Sequence, residues 1–178
     1  LPLGAFDVAA AWYLPDCADK SFEWGPETTK RCEGFVGSVP VYETVIGFYS
    51  LPDNKYANAQ NFEDFYGARL CRMKAWFVHD LEPHGLIEPN ITMVRPENPA
   101  ECIEAVINGT ADVASFEVQS ASAAIAQLGI GLDEIKENPF LTTVVSLHYL
   151  VHKTNPNGRK YIALLNRGLN EMRQSGEW

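Results

Sequence analysis

The chain has 178 residues, of which 46% are hydrophobic and 21% charged, a balance typical of a globular protein rather than a disordered one. Its 14 basic and 23 acidic residues give a formal net charge of −9, without the clustered Lys and Arg that phosphate contacts need, so we predict no nucleic-acid partner. No run of eighteen apolar residues is present, and we therefore expect no direct insertion into a membrane.

The first third of the chain predicts two strands separated by a long loop. The apolar segment Phe6–Trp12 indicates a short buried strand. Residues 14–34 are rich in Pro, Gly and charge, which indicates a loop with a short helical turn over Thr28–Arg31. Val45–Tyr49 indicates a second strand, and Pro52-Asp53-Asn54 has strong turn chemistry.

Short elements alternate through the middle of the chain. In order, the sequence predicts a helix over Asn61–Tyr66, a strand over Arg69–Lys74, a helix over Asp80–Gly85, a strand over Ile91–Val94 and a strand over Asp112–Ser115. Between the last two strands, Asn98 predicts a helix cap, Pro99 the first helical position, and Glu101 the residue that reaches back. That helix is expected to bury Ile103, Val106 and Ile107 and to end at Gly109.

The last part of the chain predicts two helices and a long strand. Glu117–Leu128 indicates a helix that Gly129 ends, and Thr142–His152 is a β-rich run. Asn155-Pro156 opens a final helix, whose apolar face contains Tyr161, Ile162, Leu165, Leu169 and Met172.

Strands that alternate with helices predict an α/β fold with a mainly parallel sheet. A middle block over roughly residues 61–140 can form one α/β unit, whereas the flanking pieces must pack together. This organisation is that of a two-lobed protein in which the chain leaves lobe one, builds lobe two and returns. We assign residues 1–48 and 143–178 to part of lobe one and residues 49–142 to lobe two.

The four cysteines, Cys17, Cys32, Cys71 and Cys102, form no Cys-x-x-Cys pair, which excludes a zinc ribbon or a thioredoxin motif. An even number allows three disulfide connectivities. The sequential one closes two modest loops, the first worth about 3 kcal/mol. The alternative is four buried thiols in a reducing compartment. We predict two disulfides and leave their connectivity open.

Three segments carry a family resemblance. In Thr28–Tyr42, Arg31 follows Thr28 by three positions, and Ser38 follows Arg31 by seven, just before a Pro. The segment Asn108–Glu117 contains a Gly-x-x-Asp pattern and ends in an acidic residue, and His148–His152 precedes a Pro-started helix and Ser175-Gly176-Glu177. In this order they resemble the lobe-one signature, the lobe-two motif and the return strand with its final helix in family 3 bacterial extracellular solute-binding proteins.

This resemblance implies a type II periplasmic-binding-protein-like fold with two hinge crossings. The family's opening β-α-β units have no counterpart here, so the resemblance covers the later portion of such a protein. The opening Leu-Pro-Leu-Gly carries no secretory signal, and for a periplasmic or otherwise extracytoplasmic protein we expect it to have been removed or to lie upstream.

The resemblance also implies capture of a small polar solute, such as an amino acid, for an ABC-type transporter. Arg31 offers a planar fork of donors to a carboxylate, with Thr28 beside it, and Glu117 offers an acidic partner to an ammonium group. Trp12 or Tyr13 could stack on the solute's apolar part. We expect a monomer whose partners are the solute and a membrane permease.

Each of these residues also has a structural interpretation. Arg31 could pair with Glu27 or Glu33 instead of a ligand, Glu117 could be a favourable charge in the first turn of a helix, and the two aromatic residues could simply pack. Two other protein classes remain open. One is a sensing module of a receptor or cell-wall protein, and the other is a cleft enzyme of dehydratase type, with Glu117 or His79 as an acid or base.

No motif indicates a metal, a cofactor or a catalytic nucleophile. His148 and His152 stand four apart in a β-rich run, where that spacing separates them. The acidic and histidine residues of His79–His84 match no metal motif and are predicted to form a solvated loop or helix face. The sequence has no Gly-x-Ser-x-Gly, no P-loop and no Gly-x-Gly-x-x-Gly. We therefore predict a binding protein with no cofactor and no metal, and not an enzyme.

Overall fold

A computed structural model describes residues 5–131 and 133–177. The opening tetrapeptide, at which no signal was predicted, lies outside the described residues. In chain order the elements are β1 (Ala9–Tyr13), α1 (Pro26–Gly34), β2 (Phe35–Gly37), β3 (Tyr42–Ser50), β4 (Arg69–Cys71), β5 (Thr92–Val94), α2 (Pro99–Ile107), β6 (Val113–Glu117), α3 (Val118–Leu128), β7 (Lys136–Glu137), β8 (Thr143–His152) and α4 (Gly158–Ser175). Three short 3-10 turns, Lys55–Asn58, Phe62–Phe65 and Glu82–His84, lie between these elements.

The chain divides into two units. Unit 1 comprises residues up to Glu43 and from Val145 onward, and unit 2 comprises Thr44–Val144. The two boundaries fall within β3 and β8, so each of these strands begins in one unit and ends in the other.

Unit 1 is built on β8. β1 pairs with β8 in antiparallel register from Ala9 opposite Leu150 to Tyr13 opposite Leu147, with an irregularity between Ala9 and Trp12. β2 also pairs antiparallel with β8, from Phe35 opposite His152 onward. The helix α4 packs on β2 and buries Ile162 and Leu169.

The expected buried strand over Phe6–Trp12 is wrong in its start and in its burial. β1 begins only at Ala9, and its three central residues are exposed. Among the described residues β1 pairs with β8 alone. An apolar sequence buries a strand only where a second layer covers it, and the described residues of this unit leave the central residues of β1 uncovered.

The sheet of unit 2 is mixed and carries packed side chains on both faces. β4 pairs in parallel with β5 and β6, whereas β3 pairs antiparallel with β6 and β7. Successive strand residues point to opposite faces, and Phe48 and Tyr49 of β3 accordingly enter different apolar clusters. One cluster contains residues of α2 and α3, such as Ile103, and the other contains Phe65 and Leu81.

Both disulfides have the sequential connectivity. Cys17–Cys32 joins the loop after β1 to α1, and Cys71–Cys102 joins the end of β4 to α2. The second bridge is completely buried, whereas the cysteines of the first are half-buried. The prediction of two disulfides is confirmed, and no free cysteine is left among the described residues.

Most predicted elements exist, but several differ in extent. The turn predicted over Thr28–Arg31 is the nine-residue helix α1, which Pro26 begins. The short helices predicted over Asn61–Tyr66 and Asp80–Gly85 are 3-10 turns. The last helix starts at Gly158, two residues after the predicted Pro start.

The start of α2 follows the capping chemistry predicted for it. The side chain of Asn98 accepts a hydrogen bond from the Glu101 N–H at 3.0 Å. The Glu101 carboxylate reaches back one residue further than predicted and accepts from the Glu97 N–H at 2.9 Å. Ile103 and Val106 are buried as expected, but Ile107 is exposed, because it lies at the open end of the last turn.

The α/β fold class is therefore confirmed, and two strands cross between the units. The expectation of a mainly parallel sheet is wrong, because most of the described strand pairs are antiparallel and only β4 pairs in parallel with its neighbours. Within the part of the chain that the structure describes, no helix combines the length and apolar character needed to cross a bilayer.

Candidate ligand-binding residues

Arg31 lies in the last turn of α1, and its guanidinium is held against β1. Its Nη1 donates to the Tyr13 carbonyl oxygen at 2.8 Å, and the guanidinium carbon is 5.5 Å from the centre of the Trp12 ring. Partial burial lowers the pKa of Arg31, and the nearby Glu27 carboxylate opposes that shift. The side chain nevertheless stays cationic, because the guanidinium of an Arg is effectively always protonated in proteins.

Trp12 and Tyr13 take different parts in this cluster. The Trp12 residue is 44% exposed, and its ring packs at 6.3 Å from the Phe35 ring. Tyr13 is half-buried and contacts Arg31 through its carbonyl oxygen. The structure thus brings Arg31, Trp12 and Tyr13 together in one partly exposed cationic and aromatic cluster of unit 1.

Thr28 is the innermost of the predicted residues. It lies one turn before Arg31 on α1 and is completely buried. Its neighbour Thr29 is exposed and donates its hydroxyl to the Trp24 carbonyl oxygen at 3.1 Å. A role for Thr28 at a ligand remains a prediction.

The Cys17–Cys32 disulfide borders this cluster, because Cys32 directly follows Arg31. A surface cavity of about 540 Å³ lies beside the disulfide, with Leu14, Phe35, His148 and Lys153 among its lining residues. None of the predicted ligand-binding residues lines this cavity. The Lys153 ammonium instead donates to the Cys32 carbonyl oxygen at 2.6 Å and ties α1 to the end of β8.

Glu117 belongs to unit 2, where it ends β6 and occupies the N-cap position of α3 without a side-chain capping hydrogen bond. The hydroxyl of Ser120, in the first turn of α3, donates to Glu117 Oε2 at 3.4 Å. Next to it, the Thr44 hydroxyl donates to Gln119 Oε1 at 3.4 Å. A carboxylate at the N-terminus of a helix is favoured by the helix dipole, which is the structural interpretation that the sequence also allowed for Glu117.

The segment His79–His84 is not the solvated face that the sequence predicted. His79 and Asp80 are buried, and Asp80 forms an ion pair with Arg72, which is 1% exposed. Sequence analysis missed Arg72 altogether. No motif relates an Arg at the end of a short strand to an Asp eight residues later, so no sequence signal could have found the pair.

The histidines of β8 are engaged with neighbouring oxygens. His148 Nδ1 lies 2.8 Å from the Ser38 carbonyl oxygen, and His152 Nδ1 lies 2.7 Å from the Thr154 hydroxyl. Over residues 5–131 and 133–177, no three His, Cys, Asp or Glu residues are grouped so that they could hold a metal ion.

No protein family model and no curated protein matches the sequence. Solved structures do match. A histidine kinase sensor domain similar to periplasmic binding proteins aligns over 98% of this chain with a TM-score of 0.68 and 14% identity. An arginine transport-system periplasmic binding protein from Legionella pneumophila aligns over 99%, with a TM-score of 0.67 and 16% identity. The fold is that of the periplasmic binding proteins.

An ancestral amino acid-binding protein, a precursor of cyclohexadienyl dehydratase, shares this periplasmic-binding-protein fold. It aligns over 98% of the chain with a TM-score of 0.60 and 18% identity. The chain spans 67%, 71% and 66% of the length of these three proteins. The resemblance found in the sequence is thus confirmed at the level of the fold.

Proposed function

We propose that this chain is an extracytoplasmic solute-binding protein that captures a small polar solute, such as an amino acid, for a membrane transporter. The observation that carries the proposal is the Arg31 cluster on this fold. A charged fork is fixed by the Tyr13 carbonyl oxygen and lies beside an exposed Trp12 ring. Proteins of the same fold include an arginine transport-system periplasmic binding protein and the substrate-binding protein of an amino acid ABC transporter.

In this proposal the two units are the lobes, with the lobe boundary within β3 and within β8. Arg31 binds the solute carboxylate bidentately, and Thr28 completes the donor set from within α1. Glu117 binds the ammonium group, so each end of the solute has a partner of opposite charge.

The proposed location outside the cytoplasm is supported by the two disulfides, because such bridges persist in oxidising compartments. The proposed partners are the solute and a permease. The proposed oligomeric state is a monomer, which sedimentation analysis of the purified protein tests directly.

Calorimetric titration with L-arginine and with L-glutamine tests the function. The wild-type protein is expected to bind at least one of them saturably. Arg31→Ala leaves a carboxylate without its partner, which costs about 2–5 kcal/mol, so affinity should fall by about 30-fold or more. Arg31→Lys keeps the charge but not the fork and should fall in between.

Arg167→Ala is the matched control, because Arg167 is an exposed arginine of the same unit in a surface pair with Glu171. Its affinity should equal that of the wild type. Circular dichroism must show that all variants are folded. Equal affinities of Arg31→Ala and wild type would remove Arg31 from the site.

A sensing module is the second candidate, favoured by the likeness to a histidine kinase sensor domain. A membrane-spanning helix encoded downstream of residue 178 would support a sensor over a free binding protein. A dehydratase is separated by the fate of the solute. A binding protein returns it unchanged, whereas an enzyme returns a product of lower mass.

A further inference from the structure

A charged pair is buried in unit 2 beside the end of β4. Arg72 directly follows β4, and its side chain forms a bidentate ion pair with Asp80 through Nη1–Oδ1 at 2.5 Å and Nη2–Oδ2 at 3.0 Å. The two side chains are 2% and 3% exposed. A buried charge is costly unless it is paired and hydrogen-bonded, so the residues around this pair must satisfy both side chains.

Every N–H of the Arg72 guanidinium has an acceptor. Besides the Asp80 carboxylate, Nε donates to the Ser115 carbonyl oxygen at 3.0 Å, Nη2 to the Ser115 hydroxyl at 2.8 Å, and Nη1 to the Phe77 carbonyl oxygen at 3.1 Å. On the other side, the Thr143 hydroxyl donates to Asp80 Oδ2 at 2.8 Å. Burial alone raises the pKa of Asp80, but its ion pair and hydrogen bonds with Arg72 outweigh burial and keep the carboxylate ionised.

The network connects two segments of unit 2, which are the end of β6 that contains Glu117 and the start of β8. Ser115 lies in β6 two residues before Glu117, and residues two apart in a strand point to the same face. The network is therefore on the face of the sheet to which the Glu117 side chain belongs. Thr143 is the first residue of β8, two residues before the chain enters unit 1 at Val145.

We propose that the Arg72–Asp80 pair is a positioning element of the solute site, which holds the Glu117 end of β6 to the first residue of the returning strand. This inference rests on the proposed function, because it assumes that Glu117 meets the solute. Arg72 and Asp80 act through Ser115 and Thr143 and do not touch the solute themselves. An apolar pair would fill the same space, but it would not tie β6 to β8 by directional bonds.

The test uses two mild variants, because removing either charge could unfold unit 2. Thr143→Val keeps the shape but removes the hydroxyl that donates to Asp80, and Ser115→Ala removes the hydroxyl that accepts from Arg72. Thr143→Ser keeps a hydroxyl and is the rescue variant. Thr92→Val, an exposed threonine of β5 in the same unit, is the matched control.

Two measurements are made on the whole chain. Amide hydrogen exchange over residues 113–120 needs no ligand, and calorimetry measures the dissociation constant of L-arginine or L-glutamine. In Thr143→Val and Ser115→Ala we expect the exchange rates and the dissociation constant each to rise about tenfold. This rise is equivalent to about 1.4 kcal/mol, near the low end of what a hydrogen bond to a charged group contributes. Thr143→Ser and Thr92→Val should stay near the wild type, and exchange in α2 should not change.

Each outcome decides the matter. Unchanged exchange over residues 113–120 in both mild variants overturns the inference. Faster exchange with an unchanged dissociation constant also overturns it, because the pair would then be structural only. If the wild type itself binds neither probe, the proposed function fails, and the positioning role fails with it.

Discussion

Replacing Asp80 by Asn removes one charge from a pair that water does not reach. The Asp80 carboxylate accepts two hydrogen bonds from Arg72 and one from Thr143. An amide has the same shape but offers only one acceptor oxygen, so its NH₂ group would point at a donor. Arg72 would remain buried with its positive charge unbalanced.

The expected cost follows from the burial of both partners. Side chains only 2% and 3% exposed are not screened by solvent, and breaking a buried pair by removing one partner costs about 3–5 kcal/mol. A domain of this size has about 5–15 kcal/mol of total stability. Asp80→Asn should therefore leave unit 2 marginally folded at room temperature.

Urea unfolding followed by tryptophan fluorescence measures this loss. Trp76 is the one tryptophan in the sequence of residues 44–144, so a background in which the other three are replaced by Phe reports on unit 2. Glu97→Gln is the control, because the Lys74–Glu97 pair is exposed and should give no measurable loss. The double variant Arg72→Met with Asp80→Leu should recover most of the stability, because it leaves no unpaired charge.

The loss must also depend on pH in one direction. The folded-state pKa of Asp80 lies below its ordinary value of 3.8. The stabilisation is therefore fully present above about pH 4–5 and is lost as the pH falls through the folded-state pKa. A loss below about 1 kcal/mol at pH 7 for Asp80→Asn, or a loss that grows as the solution is acidified, would refute this account of the pair.

Two further predictions concern other parts of the chain. Gly47→Ala places a methyl group 2.7 Å from the Tyr49 hydroxyl oxygen. Because the buried Tyr49 ring has little room to move, the free energy of unfolding in urea should fall by about 1–3 kcal/mol. In Gly168→Ala, in α4, the added methyl group meets no atom within 4 Å, so the free energy of unfolding should rise by about 0.5–1 kcal/mol. Equal unfolding midpoints for the two variants would contradict both expectations. At a low concentration of dithiothreitol, the half-buried Cys17–Cys32 disulfide should be reduced before the fully buried Cys71–Cys102 disulfide. Alkylation of the released thiols followed by peptide mass spectrometry measures the order of reduction. Simultaneous reduction would show that exposure does not control this order.

Local chemistry made several elements predictable. The Asn98 cap, the Gly129 stop and the β-rich run that became β8 each depend on residues close together in sequence. Where a prediction was wrong, packing against residues far away in the sequence determined the local structure. The 3-10 turns at Phe62–Phe65 and Glu82–His84 have sequences that also suit a short α-helix, and short segments are marginal without tertiary packing.

The candidate site divides in the same way. Arg31 could be singled out from its spacing to Thr28 and Ser38. Its contact with the Tyr13 carbonyl oxygen beside Trp12 could not be predicted, because the two residues are eighteen positions apart in the sequence. Of the three possible disulfide connectivities the sequence excluded none.

By itself, the order of residues determined the alternation of strands and helices, the capping signals and the type of chemistry that each candidate residue could offer, since these depend on neighbours within a few positions. Only the tertiary structure decided which face of a strand is covered, which cysteines pair and that Arg72 meets Asp80 in the interior. Those outcomes depend on the packing of segments far apart in the chain, and burial turns an ordinary charge into one that must find a partner.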